Sequence, residues 1–333
     1  MLRSNPDGLS IRIIGTERFK GSLERLLVHQ CYETPYPDEP GYISSIVEIC
    51  EAERIDAIFA GCEPDARALS LHRREIESHG ASLVMSDHAI IERAADKVAF
   101  MESVATLGLP VAGWRLVDSH DSLRAGALSL GYPEREVALK PRGLAGRKGF
   151  WILSSAPRDA TRFFLTRDKE ERISLPEVEA LYEALPSPPD LLLMEYLPGL
   201  EYSVDAFRGQ EVAVAIPRER LKTQGGLSIH TRLADRPDLA EATVKIAEAL
   251  GLTSLFGIQF RLDADGVPKV LECNPRIQAS IGLSLLSGAN LAWMALQEAL
   301  GDRAVRPPSL STKGELRWIW RGLIEGERGS AAF

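Results

Sequence analysis

Three observations predict a mixed α/β fold. Its N-terminal part is expected to have a parallel sheet covered by helices, and the chain as a whole is expected to be of the α+β class. Apolar runs alternate with amphipathic segments over residues 9–85, which is typical of a parallel sheet covered by helices. Residues 256–274 have the period-two alternation and the central turn of an antiparallel hairpin. The length of 333 residues is enough for two or three subdomains, each with its own hydrophobic core.

Composition narrows the classes of function. The sequence is 45% hydrophobic and 26% charged, as in globular proteins, and its net charge of −8 argues against a general nucleic-acid binder. No apolar run approaches the ~18 residues of a membrane span, and the N-terminus lacks the pattern of a signal peptide. The four cysteines show no C-x-x-C spacing. We therefore expect a cytoplasmic protein with reduced thiols that binds neither membrane nor nucleic acid.

A first domain is predicted over residues 1–94. Neither of the two commonest phosphate-loop signatures, G-x-G-x-x-G and G-x-x-x-x-G-K-[ST], occurs. Because no strand and Gly-rich turn precede Leu9, we expect this domain to lack the first strand of a nucleotide-binding fold. Its predicted elements are strands at 9–14, 55–60 and 81–85 and helices at 41–53 and 64–79.

The next region carries two candidate cations, Lys97 near the start of a helix and Lys140 at the end of a strand. Residues 142–149 form a Gly-rich turn with three further cations, and such a loop can close over phosphates. A solvated hairpin with a basic tip is the alternative. The predicted elements are a helix at 94–107, a strand at 114–117, a helix at 121–130 and a strand at 137–140.

A hinge between two subdomains is predicted around residues 195–199. An apolar strand at 191–194 precedes this break, and an alternating strand at 202–207 follows it. Residues 212–216 are expected to form a further strand, and a helix is expected at 237–250. Between them, 217–232 is predicted to be a polar loop, whose basic side chains are Arg218, Arg220, Lys222 and His230.

The hairpin at 256–274 brings polar side chains to one face of a sheet. The Asp-Gly pair at 265–266 is a strong turn signal, because Gly tolerates the positive φ of tight turns. A two-residue turn places Gln259 opposite Glu272, and a four-residue loop moves Gln259 one pair along on the same face. Strict alternation puts on this face the side chains of Val270, Glu272 and Asn274.

Oxygen-bearing side chains followed directly by Arg276 suit a hard cation such as Mg²⁺ with a phosphate beside it. The alternative is an ordinary hairpin whose polar face lies in water. Pro275 counts against that alternative, because proline cannot continue a central strand and Arg276 must leave the sheet beside the carboxylate.

These motifs resemble those of a known family. The segment LECNPR at 271–276 resembles the E-x-N-P-R signature of the ATP-grasp superfamily, and the IQF strand at 258–260 resembles the strand that precedes it there. The resemblance runs from Asp96-Lys97 to about Gly301 and is strongest to the branch of the carbamoyl phosphate synthetase large subunit. It implies a preATP-grasp domain at 1–94, an ATP-grasp domain at 95–301 with a lid at about 111–193, and an extension at 302–333.

The resemblance also implies roles on the nucleotide side of the site. Lys97 and Lys140 contact the phosphates of ATP, and Glu201 binds the ribose hydroxyls. The residues that hold the adenine through backbone groups are Met194, Glu195, Tyr196 and Leu197.

On the reacting side, the residues implied to hold one or two Mg²⁺ ions are Gln259, Glu272 and Asn274. Gln259 stands where many members have Asp or Glu, and we interpret it as a marker of the carbamoyl phosphate synthetase branch, which also carries Gln. Arg276 would stabilise charge on the transferred phosphoryl group, with Lys140 as the second catalytic cation. Arg218 and His230 match polar positions near the substrate in the family. For His230, a purely structural role is an equally good alternative to substrate binding.

The function implied by the resemblance is that of an ATP-dependent carboxylate–amine ligase. The carboxylate attacks the γ-phosphate to form an acyl phosphate and ADP, and an amine then displaces the phosphate. The implied cofactors are ATP and Mg²⁺, with Mn²⁺ as a substitute. The expected partners are a small-molecule carboxylate and an amine. The assembly considered is a homodimer. The alternative is a nucleotide-binding regulatory or scaffold protein with little or no turnover.

Overall fold

The computed structural model describes residues 1–18, 27–142, 149–157, 171–301 and 309–319, the single positions 159, 161 and 165, and the backbone of two strands near the C-terminus. Its strands are β1 (Ile14–Glu17), β2 (Gln30–Glu33), β3 (Ala57–Ile58), β4 (Ser82–Leu83), β5 (Trp114–Val117), β6 (Val137–Pro141), β7 (Trp151–Leu153), β8 (Arg172–Ile173), β9 (Leu191–Glu195), β10 (Glu201–Arg208), β11 (Ala213–Gln224), β12 (Leu227–Leu233), β13 (Ser254–Leu262), β14 (Pro268–Asn274), β15 (Glu315–Arg317), β16 (Leu323–Gly326) and β17 (Gly329–Ala332). Its helices are α1 (Tyr42–Glu53), α2 (Glu63–Leu71), α3 (Arg73–Ser78), α4 (His88–Ala95), α5 (Lys97–Ala105), α6 (His120–Ser129), α7 (Leu175–Glu183), α8 (Pro237–Leu250) and α9 (Leu291–Ala299), with a 3₁₀ helix at Ile281–Ser287. Within the described ranges, none of the helices combines the length and apolar character needed to cross a membrane.

The N-terminal part contains two parallel strand pairs, β1 with β2 and β3 with β4, as the alternation of strands and helices predicts. Helices α1 to α4 pack around its apolar core. The strand predicted at 9–14 begins only at Ile14. The preceding backbone is held in a loop by the Asn5 side chain, whose Nδ2 donates to the carbonyls of Leu2 and Leu9 at 2.9 and 2.7 Å.

A five-stranded sheet follows in the order β5-β9-β6-β7-β8. One face packs on α6 and α7 through a buried apolar cluster. The other face presents Leu192 and Met194, which pack with Val98 of α5 and with Leu271 of β14. This smaller sheet is therefore attached to the rest of the molecule beside the predicted metal hairpin.

The larger sheet is antiparallel and has the order β14-β13-β10-β11-β12-β15. One face is apolar and packs on α5 and α8 through residues such as Val204 and Phe260. The opposite face is divided, because Phe207 and Leu255 pack on α9 at one end, while the same strands carry polar side chains at the other end. The polar end of this face forms the candidate site.

The polar loop predicted at 217–232 is wrong, because this segment forms the hairpin of β11 and β12. Gly225 and Gly226, with φ of 57° and 85°, connect the paired residues Gln224 and Leu227. A two-residue hairpin turn of this kind requires positive φ at both central positions, and two glycines supply it. The basic residues of the segment thus belong to strands that cross the sheet beside the site.

Candidate active site

The hairpin predicted around residues 256–274 is present as β13 and β14, and Gln259 lies directly opposite Glu272. Its turn has neither of the two forms expected. The Asp263 amide donates to the Val267 carbonyl at 3.0 Å, which closes a loop of three residues. A three-residue loop shifts the register of the hairpin by one position relative to the two-residue turn.

A β-bulge in β14 restores the register. Leu271 has no partner on β13, so two residues of β14 occupy the space of one. Val270 therefore faces the core, where it is 1% exposed, whereas Glu272 and Asn274 face the site together with Gln259. The expectation that Val270 shares their face is wrong, because the inserted residue reverses the alternation.

Each of the three predicted metal ligands has a cationic side chain at one of its oxygen atoms. The pairs are Gln259 Oε1 with Arg220 Nη1 at 3.1 Å, Glu272 Oε2 with Lys97 Nζ at 3.8 Å, and Asn274 Oδ1 with Arg276 Nη2 at 3.3 Å. The site thus combines oxygen ligands and cations on one sheet face, which is the arrangement that binds a metal ion together with phosphates.

Lys97 is placed by the start of α5. Asp96 is the N-cap of this helix, and its Oδ1 accepts hydrogen bonds from the two amides of the first turn at 2.9 and 3.0 Å. Its Oδ2 accepts from Arg142 Nη2 at 3.0 Å. Asp96 therefore fixes where the helix begins, and the next residue, Lys97, is directed towards the hairpin.

Lys140 approaches the site from the smaller sheet, at the end of β6. Burial lowers the pKa of its ammonium group to about 8, Glu272 opposes this shift, and Lys97 adds to it. A desolvated ammonium with incomplete compensation is well suited to bind an anion. The glycines and cations of the Gly-rich turn at 143–148 lie outside the described residues.

The segment predicted to be a hinge, residues 195–199, offers an apolar surface and backbone groups outside the loop hydrogen bonds. Met194 and Leu197 are buried beside Leu271. Both the side chain and the amide of Glu195 are already hydrogen-bonded within the protein. The carboxylate accepts from Lys269 Nζ at 2.7 Å, and the amide donates to the Gly113 carbonyl at 2.7 Å. Among the loops and turns that the structure describes, no backbone–backbone hydrogen bond involves Tyr196 or Leu197.

Gly199 joins the hinge to the larger sheet. Its amide donates to the Leu262 carbonyl at 3.0 Å, and a Cβ atom at this position would lie 2.6 Å from Leu262 Cβ. Only glycine allows so close an approach. The contact fixes the start of β10 and with it Glu201, whose carboxylate pairs with Arg220 and lies 4.0 Å from Arg261 Nη1.

Arg218 and His230 have protein partners in the structure. Arg218 is 2% exposed, and it donates to Asp205 Oδ2 at 2.7 Å and to Gln278 Oε1 at 3.1 Å. His230 Nε2 lies 3.1 Å from a carboxylate oxygen of Glu315 on the edge strand β15. Their contact with a substrate therefore stays a prediction.

Arg220 is a site residue that the sequence marks only as one of several basic side chains of the segment 217–232. Its side chain is 8% exposed, and besides Glu201 and Gln259 it binds Ser228 Oγ at 2.7 Å and the Gly226 carbonyl. The Gly-Gly turn was the available signal. A hairpin at that turn places alternate residues of β11 on one face, and Arg220 is one of them.

The donor set fits a hard divalent cation, because one carboxylate and two amide oxygens share one face. Among the described residues, no group of three or more His, Cys, Asp and Glu side chains could hold a metal ion. A cation at this site must therefore gain its remaining ligands and negative charge from elsewhere, and the phosphates of a nucleotide provide both.

Comparisons with known proteins agree with this architecture. Residues 187–320 match a family model described as ATP-grasp in the biosynthetic pathway with Ter operon. The arginine-specific large chain of carbamoyl phosphate synthase from Halalkalibacterium halodurans is 24% identical over an alignment of 253 residues, and the match covers 73% of this chain and 22% of that protein. This chain therefore spans only about a fifth of the length of that relative.

Solved structures share the fold at low sequence identity. The biotin carboxylase domain of 2-oxoglutarate carboxylase from Hydrogenobacter thermophilus, in complex with MgADP, ADP and bicarbonate, has a TM-score of 0.70 at 19% identity and matches 92% of this chain and 68% of its own. N5-carboxyaminoimidazole synthetase from Staphylococcus aureus, complexed with ADP, has a TM-score of 0.67 at 18% identity, with 90% and 73% matched.

Proposed function

We propose that this chain, which carries an ATP-grasp domain, is an ATP-dependent ligase that joins a small-molecule carboxylate to an amine with release of ADP and phosphate. The supporting observation is that the oxygen ligands of β13 and β14 meet cations from other parts of the chain on one sheet face. Phosphoryl transfer depends on such positioning and charge neutralisation more than on covalent chemistry by the protein. The proposed cofactors are ATP and Mg²⁺, with Mn²⁺ as a substitute.

In the first step, a substrate carboxylate oxygen forms a bond to the γ-phosphorus of ATP, and the bond from that phosphorus to the β–γ bridging oxygen breaks. Lys97 and Lys140 bind phosphate oxygens, and Arg276 stabilises charge on the group in transfer. When bound, Mg²⁺ would supply Lewis-acid polarisation of phosphoryl oxygens. The residues that would hold it are Gln259, Glu272 and Asn274.

In the second step, the nitrogen of the amine attacks the acyl carbon of the acyl phosphate. The bond from that carbon to the phosphate oxygen breaks, inorganic phosphate leaves, and the proton of the amine passes to solvent. The apolar cluster between the two sheets, which includes Met194 and the partly buried Leu271, would help to keep water from the intermediate, which water would otherwise hydrolyse.

The test has two stages. Thermal denaturation is first measured with ATP and Mg²⁺ separately and together, and we expect a rise in melting temperature that needs both, because a ligand of the folded state stabilises it by mass action. ADP release is then measured with pairs of carboxylates and amines. Bicarbonate is a suitable first carboxylate, since a structural neighbour was solved with it.

The possible outcomes distinguish the ligase from the alternative functions. ADP release that requires Mg²⁺, a carboxylate and an amine supports the ligase. ADP release without any acceptor indicates a hydrolytic or kinase-like activity instead. Binding of the nucleotide without ADP release from any pair favours the regulatory or scaffold function, and the lack of any thermal shift contradicts the proposed nucleotide site.

A further inference from the structure

The charge around the predicted metal ligands is unusual for a site that would hold a free cation. Gln259 Oε1, Glu272 Oε2 and Asn274 Oδ1 lie 3.1, 3.8 and 3.3 Å from nitrogen atoms of three different cationic side chains. Lys140 is a fourth cation close enough to Glu272 for its pKa to respond. In the described part of the chain, these four cations face two carboxylates, Glu272 and Glu201.

The neutral side chain at position 259 contributes to this balance. Gln259 lies opposite Glu272, where a carboxylate would bring the charge of the site closer to neutral. Its amide oxygen instead accepts a hydrogen bond from Arg220, which leaves less of its lone-pair density for a metal ion. A divalent cation that enters without phosphates therefore meets a net positive field at short range.

Arg220 is fixed in this position rather than loosely placed. Its guanidinium group is held by Ser228 Oγ at 2.7 Å, by the Gly226 carbonyl and by Glu201, and its side chain is only 8% exposed. The bonds to Glu201 and Gln259 both come from Nη1. One nitrogen atom thus connects the proposed ribose-binding residue with a proposed metal ligand.

We propose that Arg220 is a positioning residue that closes the metal site to a free divalent cation and makes metal binding depend on a bound nucleotide. The phosphates of the nucleotide supply the negative charge that the site lacks, and Glu201, on the same guanidinium nitrogen, transmits occupation of the ribose site to Gln259. The inference rests on the proposed nucleotide and metal sites. By linkage, the factor by which the nucleotide tightens metal binding must equal the factor by which the metal tightens nucleotide binding.

The experiment measures binding of Mn²⁺, as a paramagnetic probe, to the full chain by the loss of the free-ion electron paramagnetic resonance signal. It is carried out without nucleotide and with the non-hydrolysable analogue AMP-PNP, after correction for Mn²⁺ bound to the analogue alone. We expect AMP-PNP to tighten Mn²⁺ binding at least about 100-fold in the wild type, at the upper end of usual coupling factors. In Arg220→Met the factor should fall to about 10 or less, because the ligand-free site then binds Mn²⁺.

Three further variants make the test specific. Arg220→Lys keeps the charge and should still exclude free Mn²⁺. Gln259→Glu adds a carboxylate opposite Glu272 and should bind Mn²⁺ without nucleotide, which gives a second route to the same result if Arg220→Met folds poorly. Arg232→Met removes a half-exposed arginine that pairs with Glu219 at 2.7 Å on the same two strands, and it should behave like the wild type.

Two results would overturn the inference. The first is tight Mn²⁺ binding by the wild type without nucleotide, and the second is an unchanged coupling factor in both Arg220→Met and Gln259→Glu. Failure of the proposed nucleotide site has a different signature, because AMP-PNP would then not bind in the presence of Mn²⁺ to any of the proteins. Failure of the ligase function alone would show as AMP-PNP binding without ADP release from any pair of substrates.

Discussion

Replacement of Lys140 by methionine removes a cation that the smaller sheet contributes to the site, and it keeps an unbranched apolar side chain there. The ammonium group is proposed to bind a phosphate of ATP, and a hydrogen bond to a charged group contributes about 1.5–3 kcal/mol. The dissociation constant of ATP should therefore rise about 10- to 150-fold in Lys140→Met. The fold should survive, because a partly buried charge is replaced by an apolar group.

The pH dependence of ATP binding is an independent test of the proposed contact between Lys140 and a phosphate. The pKa of Lys140 is about 8 in the folded chain, below the ~10.4 of an unperturbed lysine. Between these values the folded chain binds fewer protons than the unfolded chain, so this group's contribution to stability increases as the pH rises through that window. Phosphate binds the charged form, so ATP affinity should instead fall about tenfold from about pH 7 to about pH 9.

The assay is isothermal titration calorimetry with AMP-PNP and Mg²⁺ at several pH values for the wild type, Lys140→Met and Lys140→Arg. Arginine stays charged over the whole range, so Lys140→Arg should bind with an affinity that does not change around pH 8. Equal affinities of the wild type and Lys140→Met would refute the phosphate contact. The same pH slope in all three proteins would show that another group titrates.

Three further substitutions probe the other parts of the site. Glu272→Ala should abolish Mg²⁺-dependent ADP release with little change in the circular dichroism spectrum, because it removes a proposed metal ligand and no core contact; near-normal turnover would contradict the metal assignment. Arg218→Met should lower the free energy of unfolding in urea by about 3–5 kcal/mol, because it leaves a buried carboxylate unpaired, whereas the half-exposed control Arg232→Met should cost less than about 1 kcal/mol. Gly257→Ala would put a methyl group 1.3 Å from Gln278 Nε2 and should destabilise the fold by roughly 1–3 kcal/mol; wild-type stability would mean that Gln278 can move at no cost.

The parts of the site that could be predicted from the sequence are those whose local signals agree. In β13, apolar and polar residues alternate, an Asp-Gly turn follows, and a proline ends β14. These signals determine that the segment is a hairpin and which end of it carries the polar side chains. The role of Lys97 comes from the family resemblance alone, and its helix, predicted to begin at 94, begins at Lys97 after the N-cap Asp96.

Arg220 could not be identified in the same way, because its role depends on neighbours that are distant in sequence. It bonds to Glu201, which is 19 residues away, and to Gln259, which is 39 residues away. The assignment of 217–232 as a loop followed from its charge, although strands that line a polar site carry charged residues for the same reason that loops do. The Gly-Gly pair at 225–226 was the local signal that distinguishes a hairpin from a loop.

The position of Glu272 results from two irregularities that cancel each other. With a three-residue loop and no bulge, Gln259 would face Leu271, and Glu272 would point into the core opposite a buried strand residue. The inserted Leu271 returns Glu272 to the face of Gln259, and it packs against Met194 between the two sheets. The residue that orients the Glu272 carboxylate therefore also belongs to the contact that joins the two sheets, so the geometry of this proposed metal ligand depends on how the smaller sheet is docked.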